Sequence, residues 1–205
     1  MRRIQLIGIL VAFMVGMTGV SFAKDKADTI RFAGTQYTLQ YSVGNAQERL
    51  NEYLPAGEDF SSYSTMFTVR SYDALQNTPQ EVASSVIYNL QQHYPGTEYS
   101  FFPGKGSDAG LSFIATKPGI FEFNFFRFTT HQGHPVALQF VYREYPNAKN
   151  EDQVRQKMVQ TIQKNATAWE NEMLSMPVPA IQPSAQKPAK APAKTKNKKK
   201  NLVKK

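Results

Sequence analysis

Residues 120–145 read IFEFNFFRFTTHQGHPVALQFVYREY, two apolar arms joined through His131-Gln132-Gly133-His134. Arms that alternate at a period of two, with a glycine-bearing turn between them, predict a β-hairpin. The second arm sets Val136, Leu138, Phe140 and Tyr142 against Gln139 and Arg143, so one of its faces is expected to be buried. In the first arm, Phe121, Phe123 and Phe125 fall on one face and Phe126 and Phe128 on the other. Either both faces of this strand are covered or a bulge shifts its register.

Working outward from the hairpin, Leu111 to Thr116 and Tyr99 to Phe102 read as strands around a glycine-rich turn. Upstream, Thr78 is placed to cap a helix, with Pro79 at the first helical position and Glu81 closing a capping box. Ala83, Val86, Ile87, Leu90 and Tyr94 follow at helical spacing, and Tyr94-Pro95-Gly96 ends the element. Further upstream, Thr29 to Ala33, Tyr37 to Tyr41, Arg49 to Leu54 and Ser64 to Tyr72 read as short strands. Downstream, a helix is predicted from about Glu151 to Leu174, with Asn150 as cap and a stripe of Val154, Met158, Ile162, Ala166, Trp169 and Met173. Strands, a helix, more strands and a last helix predict the α+β class: an antiparallel sheet of about six to seven strands covered by two main helices.

This order, together with Asn51-Glu52-Tyr53-Leu54-Pro55-Ala56-Gly57-Glu58 leading into Tyr63 and the strand Met66 to Tyr72, resembles the PsbP/Mog1-like fold group. The resemblance covers most of Ile30 to Met173 and is one of element order. It implies an α/β/α sandwich and an accessory or assembly role, and it carries no functional residues across.

The chain has 205 residues and no cysteine, which excludes a disulfide framework, a thiol nucleophile and thiolate metal ligands. Arg2 and Arg3 precede an apolar stretch, and Ser21-Phe22-Ala23 follows it, so residues 1–23 read as a signal peptide cleaved after Ala23, with an uncleaved anchor as the rival. Residues 24–176 then form one domain, roughly 150 residues and large enough to be stabilised by its own core. Residues 177–205 read as a Pro/Ala/Lys-rich basic tail, disordered for want of apolar residues to bury.

Charge divides along this boundary. Residues 24–186 hold 13 basic and 16 acidic side chains, a balance of −3, whereas the nine lysines Lys187, Lys190, Lys194, Lys196, Lys198, Lys199, Lys200, Lys204 and Lys205 stand without an acid. A mildly acidic domain argues against a nucleic-acid-binding fold. The tail is expected to meet an anionic envelope component: lipid headgroups, lipopolysaccharide or a wall polymer. A protein partner is a further expectation, and the rival reading of the tail is a solubilising appendage.

Reaction chemistry is weakly represented. His131 and His134 could share a metal if His93 or Glu144 supplied a third ligand, but a turn does not pre-align such a pair, and hydrogen bonding by exposed histidines is the plainer reading. Phe102 to Gly110, FPGKGSDAG, is superficially like a phosphate loop, yet a strand follows it where a helix is needed. The serines Ser61, Ser62, Ser84 and Ser85 lack a nucleophile-elbow context. No catalytic set and no cofactor motif stands out. The sequence therefore points to an exported, periplasmic or secreted, non-enzymatic accessory or binding protein. Two alternatives stay open: a carrier of a small hydrophobic ligand on the phenylalanine-rich sheet, and a hydrolase whose site is assembled from distant residues.

Overall fold

The computed structural model describes residues 29–182; the leader and the nine tail lysines lie outside the described residues. Ten elements follow in order: β1 (Thr29–Phe32), β2 (Thr35–Gly44), β3 (Arg49–Pro55), β4 (Thr65–Ser71), α1 (Pro79–His93), β5 (Tyr99–Pro103), β6 (Ala109–Lys117), β7 (Ile120–His131), β8 (His134–Glu144) and α2 (Glu151–Ser175). The strands form one antiparallel sheet in the order β1-β2-β3-β4-β8-β7-β6-β5. The chain is thus two four-stranded meanders, each followed by a helix and joined at the sheet centre through β4 and β8. The sheet has eight strands where six to seven were expected, because even the short runs at its two ends are paired.

The β7–β8 hairpin lies next to the sheet centre, and where one buried face was expected for its second arm both are covered: Ala137 and Val141 are buried as well as Val136, Leu138 and Phe140. Gln132 and Gly133 have φ of 52° and 83°, the left-handed pair that a two-residue hairpin turn requires. Register runs unbroken from Phe121 opposite Glu144 to His131 opposite His134. With no bulge, Phe126 and Phe128 must be covered on the side opposite Phe121, Phe123 and Phe125. They are: the first pair packs with Val82, Ala83, Val86, Ile87 and Leu90 of α1, the second set with Met158, Trp169 and Met173 of α2. The helices therefore lie on opposite faces, and the α+β domain is an α/β/α sandwich.

Helix α1 starts as its sequence dictates. The Thr78 hydroxyl accepts from the Glu81 amide at 3.3 Å, and the Glu81 carboxylate accepts from the Thr78 amide at 2.8 Å, with Pro79 in the first turn. Helix α2 departs from expectation at its start. Asn150 holds the cap position, but its side chain accepts from the Asn147 amide at 2.7 Å and leaves the helix amides alone. At the other end no basic residue of α2 meets the last turn, and Arg127 of β7 supplies the charge, donating to the carbonyls of Met173 at 3.1 Å and Met176 at 2.6 Å.

Pro177 to Gln182, the first residues of the segment 177–205 expected to be a disordered tail, pack on the α2 face. Val178 and Ile181 lie partly buried against the core, and the Gln182 amide donates to Asn51 Oδ1 at 3.1 Å. Cross-strand register places Arg127, Leu138, Val69 and Asn51 in one row over four adjacent strands. The chain leaving α2 at Arg127 follows this row, three strand spacings or roughly 14 Å, within the reach of six residues.

Candidate functional site

A polar diagonal crosses the α1 face. Alternation and register put Glu52 of β3, Thr68 of β4 and Gln139 of β8 side by side, and place Asn124 and Glu122 of β7 beside Val141 and Arg143 of β8. Helix α1 spans 15 residues and covers the β6–β8 end of this face. The rest lies under the turn after β3, where Tyr63 and Phe60 pack on Leu54, Met66 and Val141. The diagonal is the seam between these two covers.

Its lower half is satisfied internally. Gln139 Nε2 donates to Asn124 Oδ1 at 2.8 Å, and Asn124 Nδ2 donates to Glu122 Oε1 at 3.3 Å. The Arg143 guanidinium bonds the Glu122 carboxylate, with Nε at 2.9 Å, and also donates to the Tyr63 hydroxyl while lying over the Tyr63 ring. Burial raises the Tyr63 phenol far above its ordinary range, and the neighbouring Glu122 charge pushes the same way. These groups neutralise one another and hold the turn to the sheet. At the upper end, Thr68 Oγ1 is buried without a hydrogen-bond partner.

Beside Thr68, burial raises the Glu52 carboxyl above its ordinary value, and Arg70 only partly opposes this. A carboxyl raised on folding stabilises the native state below its unfolded pKa, and that contribution is lost as pH rises through the folded one. Glu52→Gln is therefore expected to raise the melting temperature at neutral pH, with the gain vanishing in mildly acidic buffer. Thermal scans of both proteins from pH 3 to pH 8 check the sign; an equal gain at every pH would refute it.

None of these residues is a site candidate on sequence grounds. Glu122 and Asn124 sit inside the phenylalanine run of β7, where only the aromatic alternation draws notice. The available signal was a charge and an amide at two successive positions of one strand face, which marks a polar stripe inside a sheet.

The sequence-predicted histidines are register partners at the tip of the β7–β8 hairpin. His134 Nδ1 is buried without a partner, and the bidentate Arg49–Asp73 pair, at 2.7 and 3.1 Å, lies on the same sheet face. Glu144 stands at the far end of β8, about 30 Å away for an extended strand of that length, bonded to Tyr142 and Lys157. His93 Nδ1 meets the Asn89 carbonyl at 2.8 Å on α1. The structure thus does not bring the proposed third ligands to the pair, and among the described residues no group of three or more His, Asp or Glu side chains could hold a metal.

Residues 102–110 form the β5–β6 hairpin connection and open no helix. A cleft of about 450 Å³ lies there, lined by Gln80 of the first α1 turn, Phe101, Phe102, Pro103, Gly104 and Asp108. Gln80 Nε2 closes one side by donating to the Ser107 carbonyl at 2.8 Å, and Asp108 is held by Arg127 at 2.7 Å. On the other face Phe102 stacks on Phe125 at 5.0 Å and lies flat over Gly110, where a β-carbon would stand 1.9 Å from its ring. The cleft is open to solvent and lined by both apolar and polar groups.

Among solved structures, that of LpqN, described as involved in cell envelope biogenesis of Mycobacterium tuberculosis, is similar over 68% of this chain and 70% of that one, at 14% identity and a TM-score of 0.33. None of the curated proteins matches the sequence. A protein-family model matches residues 25–178, from just before β1 to just past α2. The chain belongs to that family.

Proposed function

We propose that the protein is an exported accessory or binding protein of the cell envelope, held at an anionic surface by its C-terminal lysines. The observation that carries this reading is the charge split: nine lysines without an acid follow a body that balances to −3. The leader, with Arg2 and Arg3 ahead of an apolar stretch ending in Ser21-Phe22-Ala23, supports export. No helix among the described residues is long and apolar enough to cross a membrane. Each lysine near an anionic bilayer gains about 1 kcal/mol, and the total is screened by salt.

The carrier reading loses its motive. Phe121, Phe123, Phe125, Phe126 and Phe128 are each no more than 8% exposed and are used in packing the sheet against the two helices.

Cosedimentation with vesicles rich in anionic lipid tests the proposal, comparing residues 24–205 with a chain ending at Gln182. The end is set at Gln182 because Val178 and Ile181 contribute to the core. The longer chain is expected to sediment at low salt and to be released at high salt, while the shorter stays in solution. Equal binding by both would refute the tether.

A further inference from the structure

The two ends of the sheet differ. β1 presents Arg31 along its edge, one of the charges that commonly keep an exposed strand from pairing. β5 presents Tyr99-Ser100-Phe101-Phe102, with no charge, no bulge against β6 and a proline only at its last position. Tyr99 and Phe101 are 40% and 52% exposed, project to the α1 side and meet edge to face at 5.6 Å. An uncharged, regular, aromatic edge is built to accept another strand.

We propose that β5 pairs with β5 of a second copy of this chain, antiparallel about a two-fold axis at Phe101. Charge favours this occupant. Exposed Glu98 precedes the strand and exposed Lys105 follows it, so the two-fold, which sets Glu98 of each copy opposite Gly104 of the other, brings an acid and the neighbouring Lys105 together at each end of the pair, twice per dimer. Shape favours it also. Pairing about Phe101 sets Tyr99 of one copy opposite Pro103 of the other, at the cleft of about 450 Å³ that Pro103 and Phe101 line. The axis stands perpendicular to the sheet, so both α1 helices stay on one side and the four aromatic rings form one continuous row. A foreign strand would have to supply both end charges in reversed order and an aromatic at the right place; a second copy has them by symmetry. A five-residue strand pair lies at the small end of specific interfaces, so the dimer is expected to be weak and concentration-dependent.

Sedimentation equilibrium of residues 24–205 over a hundredfold concentration range is the test. The average mass is expected to climb from one chain towards two. Phe101→Lys, at an exposed position, should hold the mass at one chain with an unchanged melting temperature. Glu98→Lys and Lys105→Glu should each weaken association about 2- to 10-fold, and the double swap should restore it. A wild-type chain that stays monomeric throughout, a dimer that survives Phe101→Lys, or a double swap as weak as the single variants would each overturn the proposal.

Discussion

Replacing Trp169 with alanine is expected to cost about 3–5 kcal/mol of folding stability, the range for deleting a large buried aromatic. Helix α2 runs for 25 residues but buries only Met158, Trp169 and Met173. Trp169 carries most of that contact: its ring lies 5.0 Å from Phe140, 6.0 Å from Phe123 and 6.4 Å from Tyr142, over β7 and β8 at the sheet centre. Without it the α2 face keeps two methionines as its anchors, and the segment following the helix loses its starting point. Because Trp169 is the only tryptophan, urea unfolding should be followed by far-ultraviolet circular dichroism. Trp169→Phe, which keeps an aromatic ring, should cost markedly less. A Trp169→Ala chain as stable as the parent would mean that α2 is not docked as described.

Removing the Arg143 guanidinium, as in Arg143→Leu, is expected to be about as damaging, at about 3–5 kcal/mol. The side chains of Arg143 and Glu122 are only 14% and 7% exposed. Leucine would leave the Glu122 carboxylate buried without its hydrogen-bonded cation, with Lys117 the remaining positive charge acting on it, and would release Tyr63, whose turn covers Leu54 and Val141. The burden falls on the carboxylate that loses its guanidinium, since two buried charges together can be close to neutral in net contribution. The double variant Arg143→Leu/Glu122→Gln should therefore recover much of the loss. A urea double-mutant cycle measures this, and additive costs would show that the two side chains do not act as a pair.

The elements that could be read from sequence are those whose causes are local. The capping box at Thr78 and the hairpin turn at Gln132-Gly133 each involve residues within three or four positions, and both form as the sequence predicts. Asn150 failed as a side-chain cap because another local partner, the Asn147 amide, competes for its carboxamide. Pro177 to Gln182 was misleading for a different reason. Its composition suits a spacer, yet Val178 and Ile181 find an apolar row of the sheet that only the folded strands create. The polar diagonal was invisible because its members come from β3, β4, β7, β8 and the turn after β3, so no window of sequence contains it.

The chain's periodicities, caps and turns determined the class and the order of its elements. These follow from spacings along the backbone, which neighbours in sequence settle between themselves. The tertiary structure decided which phenylalanines of β7 meet α1 and which meet α2, which edge of the sheet is left undefended, and which residues complete each other's hydrogen bonds. Arg143 reaches Tyr63 across 80 positions, and Gln182 reaches Asn51 across 131. Such contacts depend on strand pairing between distant segments, and strand order and register emerge only when the whole sheet closes around its two cores.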